Sequence, residues 1–177
     1  MHEHTPTTVL PPPAQPAGAW RIRPAGVPDI VALVALRRFM FEAMGHQDQA
    51  ALDRMAEAST RYMEQALPAG DFRAWVAEAG PEGPVIAGGG LVIHCMPPTM
   101  RNLAGRAGYI MNLVTLPAWQ RRGIATAILR TMLDALRAEG VPAASLHASA
   151  AGRPLYEREG FEASKEMRLM LGGPARS

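Results

Sequence analysis

The chain has 177 residues, enough for one domain with its own hydrophobic core and too few for two ordinary domains. Its 18 Lys and Arg against 16 Asp and Glu leave a formal net charge of +2, too small to favour nucleic acid or an anionic membrane as a partner. With 48% hydrophobic residues the composition is that of a globular protein, and we expect a small molecule as its partner.

The single cysteine and the composition of the amino-terminal residues indicate which kinds of site and which cellular compartment to expect. Cys95 is the only cysteine, which excludes an internal disulfide and a cysteine-based metal site within one chain, so we expect a buried, inert thiol and no metal. Residues 1–19 are Pro-rich and lack the basic start and continuous apolar core of a secretory signal, which predicts a disordered tail before a folded domain over 20–172. The longest apolar stretch, 84–96, is shorter than a membrane span, and we expect a cytoplasmic protein.

The first part of the folded region predicts a strand and two helices. Residues 20–25, WRIRPA, alternate apolar and basic side chains, as a short strand does. Pro28 opens a helix whose apolar residues recur every three or four positions up to Gly45. A second helical stripe covers 52–66 and ends before Gly70.

The rest of the chain predicts five more strands and two more helices. Residues 72–79 and 85–96 have the period of strands and are joined by a hairpin turn. The Gly88-Gly89-Gly90 run suggests a bulge or a close backbone approach. The later elements are a strand over 108–116, a helix over 123–138, a strand over 143–149, a short helix over 153–160 and a last extended segment over 161–171. Because hairpins precede a strand–helix–strand unit, we predict an α/β fold with a single mixed, mostly antiparallel sheet and helices on both faces.

The segment TLPAWQRRGIAT, residues 115–126, predicts a phosphate site. A strand ends before Pro117 and a helix starts near Gly123, where the first backbone N–H groups have no partner inside the helix and the helix dipole adds positive charge. Gly123 has no side chain to obstruct a ligand, Ala125 has a small one, and Arg121 and Arg122 add charge. These residues alone leave open which phosphate ligand binds.

Two motifs resemble one known family. The segment lacks the glycine pattern of a dinucleotide fingerprint and the Gly-Lys-Ser/Thr of a P-loop. Gln120-Arg121-Arg122-Gly123-Ile124-Ala125 resembles the acetyl-CoA signature of the GNAT superfamily of N-acetyltransferases, Gln/Arg-x-x-Gly-x-Gly/Ala. Downstream, LYEREGF at 155–161 resembles the family's Leu-Tyr-x-x-x-Gly-Phe. The order of elements matches as well, so the resemblance covers everything but the tail.

The resemblance implies a GNAT-like fold that uses acetyl-CoA as co-substrate. In the family the end of the fourth strand splays from the fifth, pantetheine lies in the gap, and a backbone N–H polarises the thioester before direct attack by an amine. Ser149 stands where relatives often place an Asn that touches CoA. The acetyl-CoA site implied in this way consists of Leu113, Val114, Thr115, Gln120, Arg121, Arg122, Gly123, Ile124, Ala125, Thr126 and Ser149.

The resemblance also implies a catalytic acid and leaves the base open. Tyr156 matches the family tyrosine that protonates the departing thiolate. Many members carry a carboxylate on the fourth strand where this chain has Tyr109, and no Asp or Glu occurs within 83–133. The candidates for the base are therefore His94, His147, Tyr109 itself, or Glu78 acting through water.

The acceptor is less defined than the donor. His46, Gln47 and Asp48 lie in the loop where the family builds its acceptor pocket, and a plain solvated loop is the simpler interpretation of them. We expect acetyl transfer to the primary amine of a small molecule in a ternary complex. The alternatives are a protein or peptide N-acetyltransferase, or a non-catalytic acyl-CoA-binding regulatory module. By analogy with relatives that pair through their last strands, a homodimer is an open possibility.

Overall fold

The computed structural model describes residues 19–167. The predictions for the tail over 1–18, and for the end of the folded domain over 168–172, lie outside the described residues. Within the described part, five strands form one sheet in the order β1-β2-β3-β4-β5. The first three pairings are antiparallel and the β4–β5 pairing is parallel, so the predicted mixed, mostly antiparallel sheet is confirmed. The strands are β1 (Arg21–Pro24), β2 (Arg73–Glu78), β3 (Val85–Cys95), β4 (Arg106–Thr115) and β5 (Ala144–Leu146).

The helices connect and cover these strands, and they are α1 (Ile30–Ala43), α2 (Gln49–Ala69), α3 (Ile124–Ala138) and α4 (Arg153–Arg158). Two short 3-10 turns, Val27–Asp29 and Pro117–Trp119, precede α1 and α3. The helix predicted from Pro28 thus begins as a 3-10 turn, since proline fixes its own φ and suits a first turn. No helix of residues 19–167 is long and apolar enough to cross a membrane.

Helices cover both faces of the sheet, as predicted. On one face the buried side chains of α3 pack against the central strands. On the other face α1 and α2 bury their apolar stripes against β2. The fully buried residues on the α3 face include Ile128, Leu129, Met132, Leu91 and Ala87, and those on the opposite face include Met63, Phe72 and Val76.

The three glycines of β3 permit this close packing. A Cβ added to Gly89 would lie 2.9 Å from side-chain carbons of Ile128 and Met132 on the α3 face. A Cβ on Gly90 would lie 2.4 Å from the ring of Phe72 on the other face. Both distances are shorter than a real Cβ allows, so the predicted close backbone approach is confirmed: β3 approaches α3 on one face and the Phe72 ring, which follows α2, on the other.

The predicted bulge is also present, and its extra residue lies on β4. Gly88 and Gly90 pair with Val114 and Met111, so two residues of β4 face a single residue of β3. One of those two, Asn112, has φ of 55°. Asparagine adopts this left-handed conformation more readily than most residues, which makes it a suitable bulge residue.

Three sequence predictions differ from the structure. The fifth strand is limited to Ala144–Leu146 rather than 143–149, because the bulge bends β4 away from it. Residues 161–167 form no strand. Cys95, expected to be buried, is exposed, since the end of β3 extends past the covering helices.

Candidate functional site

The gap between β4 and β5 is the first feature of the site. The parallel pairing runs from Gly108 with Ala144 to Ile110 with Leu146 and stops there, while β4 continues to Thr115. Among the described residues no strand pairs with this edge of β4 beyond that point. The three β4 residues of the implied acetyl-CoA site, Leu113, Val114 and Thr115, therefore lie along a free edge that can pair with the amides of an extended ligand.

A cluster of free backbone donors follows directly. The backbone N–H groups of residues 121–126 donate no hydrogen bond to any acceptor within residues 19–167. The first bonded amide of α3 is that of Ala127, which donates to the Gly123 carbonyl at 3.0 Å. Gly123 and Arg121 have positive φ of 79° and 60°. These conformations turn successive N–H groups toward one side, the arrangement that binds phosphate.

The side chains of the turn keep this surface open. Gln120 donates from Nε2 to the Thr115 carbonyl at 3.1 Å and so ties the turn to the end of β4. The guanidinium carbon of Arg122 lies 4.7 Å from the centroid of the Trp119 ring. A Cβ on Gly123 would meet no atom of residues 19–167 within 4 Å, which leaves room for a ligand beside this part of the chain.

The remaining residues of the turn differ in burial. Arg121 is exposed, whereas Ile124 is buried at 1% relative exposure and anchors the start of α3 in the core. Ala125 and Thr126 are half-buried. The helix start is thus fixed by an apolar anchor, while its first N–H groups have no partner within residues 19–167.

Tyr156 and Ser149 lie together at the start of α4. The Ser149 hydroxyl accepts from the Gly152 N–H at 3.1 Å. A Cβ on Gly152 would lie 3.1 Å from a ring carbon of Tyr156 and 3.2 Å from Ser149 Oγ, so a larger residue there would require these side chains to shift by a few tenths of an ångström. The Tyr156 hydroxyl has no recorded hydrogen bond within residues 19–167, and burial raises the pKa of this phenol. Tyr156 is thus held protonated with a free hydroxyl, as a proton donor must be.

Two of the four candidates for the base form a pair. The Tyr109 hydroxyl is hydrogen-bonded to Nδ1 of His147, and their rings meet edge to face with centroids 5.7 Å apart. Tyr109 lies on β4, where its Cα pairs with that of Ser145, and His147 follows the end of β5. The pair therefore stands where β4 and β5 begin to separate, and a hydrogen-bonded phenol and imidazole can pass a proton between them.

The other two candidates are placed less favourably. Glu78 accepts from Arg21 at 2.8 Å and from Arg23 at 2.6 Å, and these guanidinium groups lower the pKa of its carboxyl. A carboxylate held in two ion pairs is a weak base, and β3 separates it from β4. His94 pairs with Ala107, further from the bulge than Tyr109.

A cavity of about 390 Å³ lies between the end of α1 and the start of α2. The Asp48 carboxylate accepts from the Ala51 N–H at 3.0 Å and caps α2, while the His46 ring meets the Phe41 ring edge to face at 5.4 Å. The loop residues predicted as acceptor-site candidates therefore line one cavity together with apolar helix residues. Its lining includes Phe41, His46, Gln47, Asp48, Leu52 and Met55.

Sequence analysis missed one contact beside the bulge. Arg37 of α1 donates from Nη1 to Oδ1 of Asn112, and its guanidinium carbon lies 5.0 Å from the centroid of the Phe41 ring. Two signals pointed to this contact: an arginine within the apolar stripe that begins at Ile30 and Leu33, and an asparagine inside a strand pattern. Arginine is so abundant in this chain that the first signal was easy to discount.

Comparisons with known proteins agree with this geometry. Residues 70–163, more than half of the chain, match the family model of an acetyltransferase (GNAT) domain. The chain is similar to the crystal structure of a GCN5-related N-acetyltransferase from Ralstonia eutropha JMP134, with 30% identity, a TM-score of 0.80, and coverage of 88% of this chain and 100% of that one. It is also similar to a predicted acetyltransferase with acetyl-CoA from Clostridium acetobutylicum, with 29% identity, a TM-score of 0.77, and coverage of 86% and 96%. No curated protein matches the sequence.

Proposed function

We propose that this chain, which belongs to the GNAT family of acetyltransferases, moves an acetyl group from acetyl-CoA to the primary amine of a small molecule. The observation that carries the proposal is the run of free N–H groups over 121–126, which directly follows the unpaired edge of β4. A donor with a pyrophosphate and an extended amide-containing arm matches both features, because helix starts bind phosphate and free strand edges pair with amides.

The β4 edge supplies the polarising group. In the proposed mechanism, backbone groups of Leu113, Val114 and Thr115 align the arm of the donor, and an N–H near the bulge donates to the thioester carbonyl oxygen. An N–H that meets the developing oxyanion is worth about 3 kcal/mol of barrier. Because the bulge fixes this N–H before the substrate arrives, no reorganisation is needed at the moment of reaction.

Side chains carry out the two proton transfers, from the amine and to the sulfur of CoA. An alkylammonium has a pKa of about 10.4, so a base must remove a proton before the nitrogen can attack, and we assign this to the Tyr109–His147 pair. As the N–C bond forms and the C–S bond breaks, the nitrogen loses its second proton to water, or to the same pair once that pair has released the first proton to solvent. Tyr156 then gives its phenolic proton to the sulfur of CoA, and its raised pKa keeps that proton available at neutral pH.

The cavity beside the α1–α2 loop supports a small acceptor. Its volume of about 390 Å³ falls within the range of about 300–1,000 Å³ usual for small-molecule sites. The formal net charge of +2 gives no overall excess of negative charge that would favour a basic peptide. A small amine is therefore the acceptor class we favour over a peptide.

The test combines thiol release with calorimetry. Purified protein is incubated with acetyl-CoA and a panel of small primary amines and peptides, and free CoA thiol is followed while acetyl-CoA binding is titrated separately. Turnover on small amines is the expected result. Turnover confined to peptides would move the acceptor class to proteins, and tight acetyl-CoA binding without turnover on any amine would indicate a non-catalytic binding module.

A further inference from the structure

Arg37 differs from the other arginines in how its charge is compensated. Within residues 19–167, every other arginine either forms an ion pair with a carboxylate or is exposed to water. Arg37 is half-buried and has no carboxylate partner in this part of the chain. Its cationic group is therefore partly removed from water without a counter-charge from residues 19–167.

The contacts of Arg37 leave donors unused. Nη1 donates to Asn112 Oδ1, which is a neutral acceptor. Nε is enclosed and has no acceptor, whereas Nη2 is not enclosed and has no recorded hydrogen bond with the described residues. Burial lowers the pKa of the guanidinium. Because an unpaired buried charge is unfavourable, this arrangement is a poor way to stabilise a fold and a suitable one to receive an anion.

The position of Arg37 assigns that anion to the acceptor. Asn112 adjoins Leu113, whose backbone belongs to the proposed acetyl-CoA site, so the guanidinium lies beside the reaction centre. The Phe41 ring beneath it also lines the cavity between α1 and α2. The phosphates of the donor belong at the start of α3, which packs on the opposite face of the sheet from α1.

We propose that Arg37 binds a carboxylate or phosphate group of the acceptor, so that the enzyme selects small primary amines carrying an anionic group close to the nitrogen. The inference rests on the proposed function and adds the acceptor class to it. A guanidinium bonded to an anion gains charge-assisted hydrogen bonds, which corresponds to a preference of about 10- to 100-fold. Arg37 is thus a specificity-determining residue.

Paired amines test the inference. The pairs are β-alanine with its amide and phosphoethanolamine with ethanolamine, which separate carboxylate from phosphate recognition, and kcat and KM are measured by thiol release. The wild type is expected to prefer one charged member by about 10- to 100-fold in kcat/KM, mainly through KM. Arg37→Met should abolish the preference for the charged amine. Arg37→Lys should retain part of the preference, because the ammonium keeps the charge and lacks the planar fork of the guanidinium.

Two further variants separate a binding role from a structural one. Asn112→Asp keeps Arg37 and supplies a carboxylate from the protein itself, so it should also abolish the preference, and aspartate tolerates the left-handed backbone. Arg61→Met removes an exposed charge on α2 and should leave the ratio unchanged. If Arg37→Met lowers kcat/KM equally for both members of each pair, Arg37 only supports the bulge and the inference is overturned.

The inference and the proposed function can fail separately. Turnover with equal kcat/KM for charged and neutral amines in the wild type would overturn the inference and leave the acetyltransferase intact. If no amine is acetylated, titration of the CoA-bound protein with inorganic phosphate and with propionate still tests whether Arg37 binds an anion. Anion binding that Arg37→Met removes supports the inference, and identical titrations of wild type and variant refute it.

Discussion

Replacing Gly123 by aspartate should weaken acetyl-CoA binding by about two orders of magnitude while the protein stays folded. Gly123 has φ of 79° and open space around its Cβ position, so the new carboxylate would project into the surface formed by the free N–H groups. Gly140, at the other end of α3, provides a matched control because it has φ of 66° and equally open surroundings. The two aspartates thus differ chiefly in which end of the helix they occupy.

The expected magnitudes follow from electrostatics. A carboxylate about 5 Å from a phosphate charge, at an effective dielectric constant of about 20, costs about 3 kcal/mol, or about two orders of magnitude in Kd. A non-glycine residue in the left-handed region costs roughly 1–2 kcal/mol in either variant. The helix dipole stabilises the fold of Gly123→Asp by about 0.3–1 kcal/mol, because the aspartate lies at the N-terminus of α3. It destabilises the fold of Gly140→Asp by a similar amount, because that aspartate lies at the C-terminus. The control should therefore unfold at the lower temperature.

Calorimetry with acetyl-CoA and thermal unfolding measure the two effects independently. We expect Gly140→Asp to bind acetyl-CoA like the wild type although its Tm is the lower of the two, at about 2–4 °C per kcal/mol for a chain of this length. Gly123→Asp should lose acetyl-CoA affinity although its Tm is the higher of the two. Wild-type affinity in Gly123→Asp, or a loss of affinity in Gly140→Asp as large as that in Gly123→Asp, would refute the assignment of the phosphate site.

Two further predictions concern proton transfer. Tyr156→Phe should lower kcat by about 10²-fold with unchanged acetyl-CoA affinity, and an unaltered kcat would remove Tyr156 from the acid role. Burial raises the pKa of Tyr156 above its usual value of about 10, so the kcat of the wild type should show no alkaline fall from this group below that pH. If Tyr109 and His147 act as one unit, Tyr109→Phe and His147→Gln should each lower kcat/KM, and the double variant should be no worse than the more severe single one; additive losses would contradict the pair.

Most of the fold could be predicted because its elements differ in hydrophobic period. Alternation identified the strands of the hairpin, and the apolar stripe of α3, with its left-handed glycines at both ends, identified that helix closely. The length of β5 could not be predicted, since the bulge in β4 ends the pairing and the residues over 143–149 still alternate. The exposure of Cys95 likewise depends on where the covering helices stop.

The donor site could be predicted because it consists of contiguous backbone. Residues 121–126 form it through local conformation and a helix start, both of which depend on nearby residue types. The acceptor side depends on contacts between distant side chains. Arg37 and Asn112 are separated by 75 positions, and Tyr109 and His147 by 38, so a local pattern can mark one residue as unusual but cannot report which residue it contacts.

Asn112 connects the two sides of the site, and its backbone and side chain are expected to contribute separately. Its left-handed backbone forms the bulge that frees the β4 edge, while its side chain holds Arg37. Asn112→Gly preserves that backbone and should keep acetyl-CoA affinity while it alters acceptor KM. Asn112→Val disfavours the left-handed region and should weaken acetyl-CoA binding as well. Calorimetry and steady-state kinetics on both variants decide: equal acetyl-CoA affinity in the two would mean that the donor slot does not depend on the bulge.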